Sequence, residues 1–404
     1  MASSKPCAVL QDRRVKPALD ASNTGVLPSD ALYEILLRLP AKEFCRLRVV
    51  CRPWRSLLSD PHLIAAHAAR HPLPLIVTGY DDDTSEHHST GSGNTGIIID
   101  IMDLSGHVVK RVRTKTPETE QVMFIQLGLV CTGRGFGHGA SYKLLNLSTG
   151  AVCALPEGYA PHEEPIMDYQ TFVALGKVES TGEYKVLRVI ENSDEHEEPE
   201  QLYEVCTLDV DGIGSNTSCW RGNKAPLDQD IVDVGRWKNV VIGGIVYFLS
   251  FVPIYISSFD LETEEWRQNL QGPLSDAAMD HDNIDWDEVS IATLATLSGS
   301  LVVVHRTNTT LDLWFLMDFE RGLWVKQHSI PISIPRDIHH NDVCPLLMLD
   351  DGRILLHTIY LEDKGWIRTY NPRTNTFTDI AEMRNDASVG LYTGSLLSLP
   401  TVAG

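Results

Sequence analysis

Several clusters in this 404-residue sequence hold side chains able to do chemistry. Gly133-Arg134-Gly135-Phe136-Gly137-His138-Gly139 could cradle a phosphate through its backbone amides. It lacks the Lys-Ser/Thr pair of a P-loop and opens no apolar-periodic helix, so a loop between strands is the expectation. His62, His67 and His71 fall at i, i+5 and i+9, do not share one helix face, and are not expected to hold a metal. His87-His88 and His339-His340 sit in polar stretches and read as solvated. Asp194-Glu195-His196-Glu197-Glu198 lacks the spaced oxygens and the Gly turn of a calcium loop. The run from Asp280 to Asp287, with Trp286 inside it, is the better acidic cluster. It suits a basic peptide or a weakly held cation, although a charged loop is the expected reading. No Gly-x-Ser-x-Gly elbow occurs. The sequence therefore leads us to expect no catalytic residue, no metal and no cofactor.

Charge narrows the partners. The formal net charge is −20. Residues 1–72 hold 11 Lys/Arg against 6 Asp/Glu, a net of +5, which leaves −25 for the remainder. An acidic large domain disfavours unspecific contact with nucleic acid or an anionic membrane. The eight cysteines form no C-x-x-C pair and read as reduced intracellular thiols. No apolar leader segment opens the chain, which points to the cytoplasm or the nucleus, and residues 1–24 read as disordered. Val240 to Phe259 carries no charge and is long enough to span a bilayer. Gly243-Gly244 and Pro253 interrupt it, and its β-branched and aromatic residues favour two buried strands.

The elements that would position any function fall into two kinds. Leu27-Pro28-Ser29-Asp30 is a helix start, with Ser29 or Asp30 as cap. Leu32, Ile35, Leu36 and Leu39 then recur as one apolar helix face, which Pro40 ends. A second short helix would align Phe44, Leu47 and Cys51. Pro53 suits the first turn of a third, with Trp54, Leu57 and Leu58 on its apolar side. So short a bundle cannot easily bury that much apolar surface alone and reads as half of an interface.

From residue 75 onward short alternating runs replace the helical period, as in Tyr184–Ile190 and Leu301–Val304. A weak repeat emerges: a strand, an Asp or Asn, a turn, and a large apolar residue six positions on. Asp103 goes with Val109, Asn146 with Val152, Asp260 with Trp266, Asp318 with Trp324, and Asn371 with Phe377. Asp209 with Trp220 is a looser copy. The carboxylate or amide opens a hairpin turn by bonding backbone two residues on, and the bulky residue starts the return strand. Spacings of 43, 63, 51, 58 and 53 residues between copies suit propeller blades joined by unequal loops. Six or seven blades are expected, with Gly390–Leu399 closing the ring; a large β-sandwich assembly is the alternative.

The helical stretch resembles the F-box. The matching residues are Leu27-Pro28, Asp30, Glu34-Ile35-Leu36, Arg38-Leu39-Pro40, Lys42, Arg48-Val49-Val50-Cys51 and Trp54-Arg55, with Leu57 following. Tyr184–Ile190, Ser258–Trp266, Asp351–His357 and Gly390–Leu399 are similar to the F-box-associated domain of plant F-box proteins. The expected architecture is a small all-α three-helix domain at 25–72, a linker and loop at 73–96, and a large all-β, kelch-like β-propeller domain at 97–400. The resemblance implies the non-catalytic substrate-recognition subunit of a Skp–cullin–F-box ubiquitin ligase. Leu27, Pro28, Leu32, Ile35, Leu36, Leu39 and Pro40 would dock a Skp-type adaptor, and a cullin would join through it. Leu47, Val50, Trp54 and Leu57 would hold the module together. The large domain would bind a target protein that the sequence does not name. An enzyme on a propeller, such as a glycosidase or oxidase, and a binding scaffold that never meets a cullin are the rival readings.

Overall fold

The computed structural model describes residues 29–39, 47, 50–70, 75–81, 96–115, 120–134, 141–147, 150–156, 169–192, 200–208, 220–224, 239–249, 255–274, 292–307, 309–332, 343–359, 364–384 and 387–392. The described helices are α1 (Ser29–Arg38), α2 (Arg52–Leu57) and α3 (Pro61–Arg70). Every described strand falls into one of six four-stranded antiparallel sheets.

The first sheet joins the two ends of the ring in the order β24-β1-β2-β3, with β1 Leu75–Asp81, β2 Gly96–Met102, β3 Val108–Lys115 and β24 Ser388–Tyr392. The second holds β4 (Gln121–Gln126), β5 (Leu129–Arg134), β6 (Ser141–Asn146) and β7 (Val152–Ala154). The third holds β8 (Tyr169–Lys177), β9 (Tyr184–Asn192), β10 (Glu200–Leu208) and β11 (Arg221–Lys224). The fourth holds β12 (Asn239–Ile242), β13 (Ile245–Leu249), β14 (Tyr255–Asp260) and β15 (Glu265–Gln271). The fifth holds β16 (Ala292–Leu297), β17 (Ser300–Arg306), β18 (Thr310–Asp318) and β19 (Leu323–Pro331). The sixth holds β20 (Val343–Met348), β21 (Ile354–Ile359), β22 (Lys364–Asn371) and β23 (Thr376–Arg384). This is a six-bladed β-propeller, each blade a meander.

Closure falls where the sequence suggests, two residues earlier than read. β24 pairs antiparallel with β1, from Leu75 opposite Tyr392 to Gly79 opposite Ser388. The segment 393–399 of the expected closing strand lies outside the described residues. Blade one is thus built from both ends of the domain. One expectation is corrected here: residues 75–81 are not linker but a strand of the first blade, whose continuous apolar run Leu75-Ile76-Val77 places Ile76 and Val77, on opposite faces, in full burial. The inner strands pack closely beside this seam. A Cβ on Gly390 would stand 2.4 Å from the Ile125 carbonyl oxygen, so only glycine fits there.

Two buried strands are expected over Val240–Phe259; its described residues fall instead in three strands, β12, β13 and β14, while residues 250–254 lie outside the described residues. Gly243 and Gly244 form the first turn at φ +56° and +79°. Among the described residues no helix is long and apolar enough to cross a membrane.

The described repeated turns join the third strand of a blade to the fourth. The Asp103 carboxylate accepts the Ser105 and His107 amides at 2.9 and 3.0 Å. Asp260 accepts Glu262 at 2.9 Å, and Asn371 accepts Arg373 at 3.0 Å. Asp318 bonds one residue further, to Arg321 at 3.1 Å. Glu264 and Asn375 then take φ +57° to complete their turns. The bulky partners vary more than expected. Trp220, Trp266 and Trp324 pack into the cores between blades, and Val109 packs partly, whereas Val152 is exposed and Phe377 covers Tyr370 from outside. Asp209 lies outside the described residues.

Because every blade repeats one strand order, the ring has two unlike rims. Turns between first and second strands, such as Leu127-Gly128 and Ser298-Gly299, share a rim with the third-to-fourth turns. At the other rim lie the ends of second strands, the starts of third strands and the ends of fourth strands. β1 starts on the tight-turn rim beside the end of β24, so the helices join the ring from that side.

Candidate functional site

The helical module is built on a small apolar cluster. Leu36, Leu37, Leu58 and Leu63 are its buried members, with Leu32, Tyr33, Leu39, Leu47, Trp54, Leu57, Ile64 and Ala66 packed around them. α2 begins as the sequence suggests, with Cys51 extended at its cap and proline in the first turn. It ends where the Leu58 amide bonds the Trp54 carbonyl at 2.9 Å. Asp60 caps α3, accepting the His62 and Leu63 amides at 2.7 and 3.3 Å. His67 on α3 lies 2.9 Å through Nε2 from the Leu39 carbonyl and is buried, which ties α3 to the end of α1. α3 is an element that sequence reading included in the module without separating it.

The expected docking residues do not share one fate. Ile35 is 45% exposed, and Leu32 and Leu39 are half-buried. Leu36 is 1% exposed and belongs to the module's own core, so it has no free surface to offer a partner. Helical geometry explains the exchange: neighbouring residues lie about 100° apart, so Leu36 and Leu37 face α2 and α3 while Ile35 turns outward. Leu27, Pro28 and Pro40 lie outside the described residues. Of the expected module core, Leu47, Trp54 and Leu57 pack as read. Val50 is corrected: it is 69% exposed, in the turn before α2. Most of the expected second helix also lies outside the described residues.

The ring's chemistry resides in ion pairs that join strands and blades. Arg188 and Glu204 face each other across β9 and β10 at a fully buried site, Arg188 Nε donating at 2.8 Å. The same guanidinium lies 4.8 Å from the centre of the Trp220 ring. Glu264, on a turn of the fourth blade, receives Lys185 at 2.9 Å and Arg221 at 3.2 Å, both from the third. Burial pushes the Glu264 carboxyl up, but these hydrogen bonds from Arg221 and Lys185 hold it below the usual carboxylate range. In the fifth blade burial likewise raises Asp312, and Ser329 and Lys326 overcome it. Burial depresses His305 and His328. Sequence reading missed the Arg188–Glu204 pair; its signal was a lone charge inside a continuous apolar run, Val-Leu-Arg-Val-Ile, every residue of which is buried. Among the described residues no His, Cys, Asp or Glu group is arranged to hold a metal ion. The segments 135–140, 193–199, 280–287 and 339–340, which carry most of the clusters weighed from sequence, lie outside the described residues.

Comparison with known proteins places both halves. Residues 26–65 match the F-box domain, and residues 84–389 match the F-box associated beta propeller domain. F-box protein At3g07870 of Arabidopsis thaliana is 25% identical, the alignment covering 94% of this chain and 93% of the relative. F-box/kelch-repeat protein At4g19930 of Arabidopsis thaliana is 24% identical over 77% of this chain and 71% of its own. A periplasmic gluconolactonase of Pseudomonas aeruginosa overlays at a TM-score of 0.39 and 10% identity, covering 77% of this chain and 83% of the enzyme. Likeness that slight carries no functional argument. The family match spans most of the chain and agrees with the six blades and the helical module before them: this chain belongs to the F-box proteins that carry an F-box-associated β-propeller domain.

Proposed function

We propose that this chain is the non-catalytic target-recognition subunit of a Skp–cullin–F-box ubiquitin ligase. One observation carries the reading: an F-box module with an exposed apolar residue on its first helix precedes a ring whose sheets are closed without it. The module docks a Skp-type adaptor through the α1 face around Ile35, Leu32 and Leu39, with Leu27, Pro28 and Pro40 extending it. A cullin joins through the adaptor. The ring holds a target protein near the ubiquitin-loading machinery, and the acceleration comes from proximity. Its place of action is the cytoplasm, the nucleus or both.

The rim opposite the helices suits the target, because the adaptor side and the target side then do not compete for the same surface. The test is affinity purification of the full chain from cells with the proteasome blocked. Recovery of adaptor and cullin, lost on Ile35→Asp with the ring's melting unchanged, supports the reading. Recovery of adaptor without cullin points instead to a scaffold. Undiminished adaptor with Ile35→Asp removes the docking assignment.

A further inference from the structure

The outer edge of the first blade differs in charge from the rest of the ring. β3 reads Val-Val-Lys-Arg-Val-Arg-Thr-Lys: four cations and no carboxylate in eight residues of a chain whose net charge is −20. It pairs with β2 on one side only, and no strand covers its other side among the described residues. Arg111 and Arg113 lie two residues apart and so share a face of the strand. Arg111 donates to Asp100 at 2.6 and 2.7 Å, yet its side chain stays 47% exposed. Arg113 is exposed and stands opposite Ile98, a buried apolar residue that offers it no counter-charge.

The other outer strands carry at most two cations each. Lys326 on β19 bonds Asp312, and Arg221 on β11 bonds Glu264. β15 and β23 carry carboxylates of their own.

We propose that β3 is a docking edge for an extended acidic polypeptide segment, which adds to the blade as a further antiparallel strand. Exposed Lys and Arg deter an edge from pairing with neutral or basic strands. A segment with carboxylates at alternate positions meets no such barrier. Its backbone completes the unpaired edge, and its acidic side chains meet Arg111 and Arg113, backbone supplying affinity and side chains supplying choice. The strip is short, and the chain from residue 73 onward is otherwise strongly acidic. A long polyanion such as nucleic acid would run off the strip into repulsion, whereas a short segment would not.

The test uses the full chain and fluorescence anisotropy with labelled peptides. A peptide alternating Glu and Val is expected to bind, and more weakly as salt rises. The same peptide with Lys for Glu is expected not to bind. Methylating its central backbone nitrogens should abolish binding, since that removes the strand's donors. Arg113→Glu should weaken binding roughly tenfold, while leaving the melting curve and adaptor recovery unchanged. Failure here therefore differs from failure of the ligase reading. Four results overturn the proposal: no binding of the Glu-Val peptide, equal binding of the methylated peptide, no change with Arg113→Glu, or tighter binding of a single-stranded oligonucleotide.

Discussion

The helical module and the ring solve burial differently. The module has one cluster, with four buried leucines and a rim of half-buried neighbours. The ring has six clusters, most of them spanning two blades, and its last strand completes its first blade. A closed ring needs nothing from outside to satisfy its inner sheet edges. The bundle keeps Ile35 and Val50 in solvent. The difference teaches that the ring closes on itself, whereas the module leaves apolar side chains in solvent.

That contrast breaks most severely at the seam. Deleting residues 385–404 removes β24 and leaves β1 with a bare inner edge, and Gly390→Leu drives a side chain into the Ile125 carbonyl. Both should abolish the ring's cooperative melt and favour aggregation, read by calorimetry and light scattering. A deleted chain that melts like the parent would show that closure does not hold the ring together.

The next effect tests whether the ring's core depends on charge. Arg188→Met strands Glu204 in a buried site and should cost about 3–5 kcal/mol in urea unfolding. Arg188→Met with Glu204→Leu should recover most of that loss, because the uncompensated charge is gone. Failure to recover would mean that the cation stacked on Trp220, and not the pair, is what matters.

Leu36→Ala and Ile35→Asp sharpen the contrast within α1. Leu36→Ala should destabilise the module by about 2–5 kcal/mol as a core deletion, with the ring's transition unmoved. Ile35→Asp should change the module's stability by less than about 0.5 kcal/mol, as an exposed substitution, yet abolish adaptor recovery. If the two variants exchange these outcomes, the assignment of core and docking side chains is reversed.

Acid gives the smallest effect, and one confined to the ring. His305 and His328 are depressed by burial, so their protonation disfavours the fold. Their contribution is complete above about pH 6.5 and is lost as pH falls from there toward their folded values. Glu264 and Asp312 are depressed as carboxylates, so theirs is complete above about pH 4 and is lost as pH falls from there through their lower folded values. Melting temperature against pH should therefore fall in two steps. His328→Gln should flatten the upper step and leave the lower.

Much of this was legible in the residues, and what was not has physical causes. The Asp and Asn turns could be read because a side chain bonding two residues on is a local event, and the closing strand could be read because a propeller must close its ring and this is the last strand-like run. Trp266 and Trp324 followed the repeat because blade interfaces need bulk there; Val152 did not, because the strand it opens is only three residues long and at the ring's outside. Ile35 and Leu36 could not be told apart by period alone, since an apolar face wider than the core it meets leaves its margin in water. The strand at Leu75–Asp81 was hidden because the strands it pairs with are separated from it, one by fourteen residues and the other by most of the domain.

The seam also sets a schedule for synthesis. β1 emerges among the first strands of the ring, but its inner neighbour is β24, more than three hundred residues later. At about 5–20 residues per second, a ribosome needs on the order of 15–60 s to supply it. Through that interval the first blade stands with one edge unfilled while later blades stack. The receptor ring therefore cannot be competent before its chain is nearly finished, and a message broken anywhere before the codons for Ser388–Tyr392 yields an F-box without a closed receptor behind it.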